Sequence, residues 1–133
     1  MEKINRVVFI DDDIATTEYH KYIVEKMKFA EDALFFTEAD KALEYFENLK
    51  SKYEFPDLIF VDINMPKMDG HEFVAAVMDL PAFNQNRTII AHLTSSASKQ
   101  DITTSLVNEV ERYYQKPLTP EIIADILKKD FKH

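Results

Sequence analysis

The sequence predicts an α/β protein: a five-stranded parallel sheet, doubly wound, with helices on both faces. Three observations carry this. Apolar runs of strand length alternate five times with segments of helical periodicity along the 133 residues. The connections between them are only a few residues long. Leu58-Ile-Phe-Val61 is an unbroken apolar run without polar alternation, which marks a strand covered on both faces. Strands and helices in strict alternation call for right-handed crossovers onto one parallel sheet. No linker, repeat or low-complexity stretch divides the chain, and residues 1–133 read as one domain.

The elements follow in order. Arg6–Ile10 is the first strand, ending in Asp11-Asp12-Asp13. A helix to about Lys28 follows, with Asp13 as N-cap and Ile23 and Met27 on a common face. Ala33–Phe36 is a short strand. Thr37-Glu-Ala-Asp40 fits a capping box, opening a helix with Ala39, Ala42, Leu43, Phe46 and Leu49 on one stripe. Leu58–Val61 lies between Pro56 and Pro66. Phe73, Val74, Val77 and Met78 mark a third helix, which Pro81 helps to end. Thr88–Thr94 is the fourth strand. Ser98–Asp101 resembles another capping box, with Ile102, Leu106 and Val110 turned inward. Arg112–Lys116 is the fifth strand, closed by Pro117. Thr119 caps a last helix with Pro120 at its first position and Ile122, Ile123, Ile126 and Leu127 inside.

Composition narrows the function. A formal net charge of −8 argues against a nucleic-acid surface. The absence of cysteine excludes disulfides and thiolate metal sites. A single glycine, Gly70, excludes glycine-rich phosphate loops. No signal peptide or apolar span of membrane length is present, so a soluble, cytoplasmic protein is expected, without membrane contact.

Parallel strands place their carboxyl ends on one rim, where ligands bind in open α/β sheets. Strand one brings Asp11 and Asp12 there, strand three Asp62, strand four Thr94 and strand five Lys116. Taken singly these are ordinary: a lone aspartate after a strand often caps a turn, and Asp13 reads better as a helix cap than as a ligand. Crowded together, the carboxylates repel one another and require a cation, for which Mg²⁺ with oxygen ligands is suited. Lys116 and Thr94 add a charge and a hydroxyl for phosphoryl oxygens. A carboxylate can itself accept the phosphoryl group. The four histidines, His20, His71, His92 and His133, share no metal-binding spacing and read as structural or solvated.

In Phe9-Ile-Asp-Asp12, Leu58-Ile-Phe-Val-Asp62, Ile63-Asn-Met-Pro66, Asp69-Gly70, Leu93-Thr-Ser95 and Lys116-Pro117, the chain resembles the receiver domain of two-component response regulators. The resemblance spans nearly the whole chain and implies the flavodoxin-like strand order 2-1-3-4-5. It implies that Asp62 accepts a phosphoryl group from a histidine kinase or phosphotransfer protein. It assigns Mg²⁺ to Asp12, to Asp11 mostly through water, to Asp62 and to the main-chain carbonyl of Asn64. Lys116 pairs with Asp62 or its phosphate, and its bond to Pro117 is a candidate cis peptide. Thr94 turns toward the phosphate, the small Ser95 leaves access, and Asn64 and Ser96 bear on phosphate lifetime. Tyr113, three residues before Lys116, follows Thr94 inward. Strand alternation alone does not distinguish it from Tyr114. The output is a protein contact through the fourth helix, fifth strand and fifth helix, or phosphate passed onward in a relay.

Two other readings compete. A small phosphatase of the haloacid dehalogenase type would use Asp11 as nucleophile, but Ala15 stands where its motif needs Thr or Val. A receiver-like module that has lost phosphorylation would not need the full acidic set.

Overall fold

The computed structural model describes residues 3–95 and 112–131. The strands are β1 (Ile4–Ile10), β2 (Ala30–Phe36), β3 (Leu58–Val61), β4 (Ile89–Thr94) and β5 (Arg112–Gln115). The helices are α1 (Ile14–Met27), α2 (Ala39–Glu47), α3 (Gly70–Met78) and, closing the chain, α4 (Pro120–Asp130). The helix expected over residues 98–110, with its capping box, and Ser96 lie outside the described residues.

All strand pairs are parallel, in the order β2-β1-β3-β4-β5. This is the doubly wound, flavodoxin-like α/β fold that the sequence predicts. Alternation along the central strands splits the core in two. Val7, Phe9, Leu58 and Phe60 pack with Ile23 of α1 and Ile123 and Ile126 of α4. Val8, Ile10, Ile59 and Val61 pack with Ala42 and Phe46 of α2 and Phe73 and Val77 of α3.

Helix ends follow local chemistry. The Asp13 carboxylate accepts from the Thr16 amide, and Lys28 closes α1 in the left-handed region. Thr119 caps α4 through the Ile122 amide, with Pro120 at the first turn. The capping box expected at Thr37 is not formed. The N-cap is Glu38, extended and without a side-chain bond, because α2 starts one residue later than a Thr37 cap requires. Glu38 instead faces Lys67, 3.9 Å away. A true capping box lies at Asp69 and Glu72, at the start of α3. β1 begins two residues before the expected Arg6 and β2 three before Ala33, because Ile4 pairs with Ala30. Glu31 and Asp32 obscured that extension: β2 is an edge strand, and both side chains are exposed.

Candidate phosphoryl site

Register brings the acidic residues together. Ile10 lies beside Val61, so Asp11 and Asp62 leave the sheet side by side, and the Asp62 amide bonds to the Ile10 carbonyl at 2.9 Å. Asp11 and Asp62 are buried while Asp12 is exposed, and one carboxylate oxygen from each lies within 4.8 Å of the others. Lys116, fixed where its amide bonds to the Thr94 carbonyl at 2.7 Å, reaches in from β5. Its ammonium is 2.6 Å from Asp11 and 3.6 Å from Asp62. The Lys116–Pro117 peptide is cis. The Asp13 amide donates to Asp11 at 2.9 Å.

Burial pushes the Asp62 carboxyl up to about 6, with the Asp11 and, less, Asp12 charges adding to the rise. Lys116 and a bond from the Asn64 amide work against it. A carboxylate held this way gains from any added positive charge. Three carboxylate oxygens, that of Asp62 among them, fit a hard divalent cation, consistent with an acidic Mg²⁺ pocket.

Around this cluster, Thr94 is fully buried and its hydroxyl accepts a long 3.4 Å bond from the Asn64 side-chain amide. Ser95 is exposed at the strand end. Tyr113 pairs with His92 in register, their rings 6.2 Å apart. Because Thr94 and His92 share a face of β4, Tyr113 stands on the Thr94 side of the sheet. Tyr114 packs on the opposite core. The structure thus separates two tyrosines that alternation left equivalent.

Sequence reasoning missed one feature here. Gly70 is needed for space: a Cβ there would lie 2.5 Å from the Asp62 carbonyl oxygen and 2.7 Å from the Ile63 Cα. Its amide bonds to the Ile63 carbonyl at 2.8 Å, folding the loop back under the acceptor strand. The histidines, read from the sequence as structural or solvated, include two that are structural. His20 and His92 are buried, and His71 stacks edge-on to His92 at 5.1 Å. Only the pattern Asp69-Gly-His-Glu72, a capping-box spacing, could have been read from the sequence.

Comparison with known proteins agrees with this geometry. The chain is 37% identical over 95 residues to the sensor histidine kinase CheAY of Helicobacter pylori, covering 71% of this chain but only 12% of that protein. It is 28% identical to chemotaxis protein CheY1 of the same organism, covering 92% of this chain and 94% of that one. A two-component response regulator from Cytophaga hutchinsonii superposes with a TM-score of 0.87 at 26% identity, covering 99% of this chain and all of the other. The family model described as the response regulator receiver domain matches residues 7–128. With its strand order and the aspartates at its rim, the chain belongs to the response regulator receiver domain family.

Proposed function

We propose that this chain takes a phosphoryl group onto Asp62 from a histidine kinase or phosphotransfer protein, in a Mg²⁺-dependent reaction, and thereby switches its protein contacts. The observation that carries this is the buried Asp62 carboxylate, with an oxygen of Asp11 and one of Asp12 within 4.8 Å and Lys116 at 3.6 Å. An Asp62 oxygen attacks phosphorus, the P–N bond to the donor histidine breaks, and an acyl phosphate forms; water later cleaves it and restores the carboxylate. Asp11, Asp12, Asp62 and the Asn64 carbonyl would hold the ion, which when bound neutralises phosphoryl oxygens. Lys116 gives up its contact with Asp11 to reach the phosphate. Thr94 and Ser95 line the approach, and the Thr94 hydroxyl donates to a phosphate oxygen.

This is a phosphoacceptor that is modified and then dephosphorylates itself, rather than an enzyme turning over a separate substrate. Tyr113 is the side chain positioned to follow Thr94, because it shares that face of the sheet. The output face is β5, α4 and the segment before them, offered to a downstream protein. A cytoplasmic location fits, and no helix among the described residues is long and apolar enough to cross a membrane.

The test is incubation with acetyl phosphate and Mg²⁺, followed by intact mass measurement and mapping of the labelled residue. Label on Asp62 is expected; label on Asp11, or none, overturns the reading. Lys116→Ala should still take up phosphate but lose most of the beryllofluoride-induced change at Tyr113, read by NMR. A Lys116→Ala protein that responds fully would remove Lys116 from the switch.

A further inference from the structure

A line of packed groups runs from the acceptor loop to β5 apart from Thr94. It starts at Gly70, where a Cβ would lie 2.5 Å from the Asp62 carbonyl oxygen and 2.7 Å from the Ile63 Cα. With no slack there, a shift of the Asp62 peptide carries Gly70 and the start of α3 with it. His71 is the next residue. The capping box fixes its backbone in the first turn of α3. The Glu72 amide donates to the Asp69 carboxylate at 2.9 Å, and the Asp69 amide to the Glu72 carboxylate at 3.0 Å.

From His71 onward the contact is ring on ring. The His71 imidazole meets His92 edge-on, with centroids 5.1 Å apart and planes at 68°. His92 in turn meets Tyr113 at 6.2 Å and 63°. Both separations fall in the roughly 4.5–7 Å range of edge-to-face ring pairs. His92 is fully buried and in register with Tyr113, so it cannot yield toward solvent. Tyr113 is only partly buried. In a close-packed interior a push passes along a row until it reaches the member with room, which here is Tyr113.

Thr94 offers a different connection. It lies two residues beyond His92 on the same face of β4, and the Asn64 side-chain amide ties it to the acceptor loop at 3.4 Å. We propose that His92 is a positioning residue that passes movement of the acceptor loop from His71 to Tyr113, in parallel with Thr94. This transmission rests on the switching function proposed above. A flat ring suits the task, since it passes on a push that an unbranched, flexible side chain would absorb.

The test uses the full-length isotope-labelled protein, saturated with Mg²⁺ and beryllofluoride. NMR contacts between the Tyr113 ring and the methyl of residue 94 report the ratio of inward to outward Tyr113. Thr94→Ala isolates the second connection and should keep part of the wild-type response. Adding His92→Met should lower the remaining ratio at least about threefold, whereas adding His92→Phe, which keeps a ring, should preserve it. Adding His71→Ala instead, at a half-buried position, should match His92→Met, and serves if the latter does not fold. No remaining response in Thr94→Ala, or one untouched by His92→Met and His71→Ala, would overturn the connection and leave Asp62 as acceptor. So would a lowered urea midpoint with an unchanged Tyr113 ratio, the mark of a merely structural His92. A wild type whose Tyr113 ignores beryllofluoride would overturn the switching function itself, and this transmission with it.

Discussion

Asp57 and Asp62 flank the same four-residue strand and share a side chain, yet the fold uses them in opposite ways. At the amino end, the Asp57 carboxylate accepts from the Asn5 amide at 2.6 Å. Its own amide bonds to Arg6 and its carbonyl accepts from Ile89, so one residue ties β1, β3 and β4 together. At the carboxyl end, Asp62 is buried among like charges and its carboxyl is pushed up to about 6. Asp57 is stabilised by what it meets, whereas Asp62 is held in readiness for a positive charge. The difference arises from strand direction, since parallel strands bring their carboxyl-terminal loops to one rim, where this sequence also places Asp11 and Asp12.

The sharpest way to break this contrast is to exchange the acid for an amide. Asp62→Asn should abolish phosphoryl uptake from acetyl phosphate, read by intact mass. Uptake by that variant at the wild-type rate would move the acceptor elsewhere.

Next in size is the pH dependence of stability in the metal-free protein. Asp62 has a folded value of about 6 against 3.8 for the free group, so its contribution is fully present below 3.8 and is lost as pH rises through 6. His20 runs the other way. Its folded value is about 4 against 6.5, so its contribution is present above 6.5 and is lost as pH falls through 4. Each effect is on the order of 2–3 kcal/mol, and over this window they oppose. Urea midpoints of the wild type should therefore vary little between about pH 4 and 6. Asp62→Asn should lose stability as pH falls across the same range and exceed the wild type near neutrality. A variant with the wild-type profile would show that Asp62 carries no strain.

Asp12→Ala should weaken Mg²⁺ binding by about tenfold or more, roughly 1.4 kcal/mol, read by calorimetry. Unchanged affinity would take Asp12 out of the ion's surroundings. The smallest effect belongs to the other end of β3. Asp57→Ala should cost about 1 kcal/mol in urea unfolding and leave phosphoryl uptake intact. Lost uptake without lost stability would erase the distinction between the two ends.

Much of this was legible in the sequence, for a physical reason. Buried parallel strands show as bare apolar runs such as Leu58–Val61, and each run ends where its loop chemistry begins. Asp11, Asp12, Asp62 and Lys116 could be gathered on one rim from topology alone. Edge geometry was less readable, because Glu31 and Asp32 disguise the start of β2. The Thr37 cap was misplaced by one residue, since both Thr37 and Glu38 precede apolar periodicity. Side-chain facing was hidden as well. Nothing in Arg112-Tyr-Tyr-Gln115 says which tyrosine looks toward Thr94 until β4 fixes the register. The bond from the Tyr19 hydroxyl to the Leu118 carbonyl joins a helix and a turn almost a hundred residues apart, beyond the reach of any local pattern.

The chain's one glycine has a further implication for anyone redesigning the molecule. Between α3 and the peptide that carries Asp62 there is room for a hydrogen atom and nothing larger. Even alanine, usually the mildest replacement, would have to push main chain against main chain. Nearby Lys67 is exposed and could carry a different charge, but at position 70 the acceptor and the adjoining helix behave as a single welded joint.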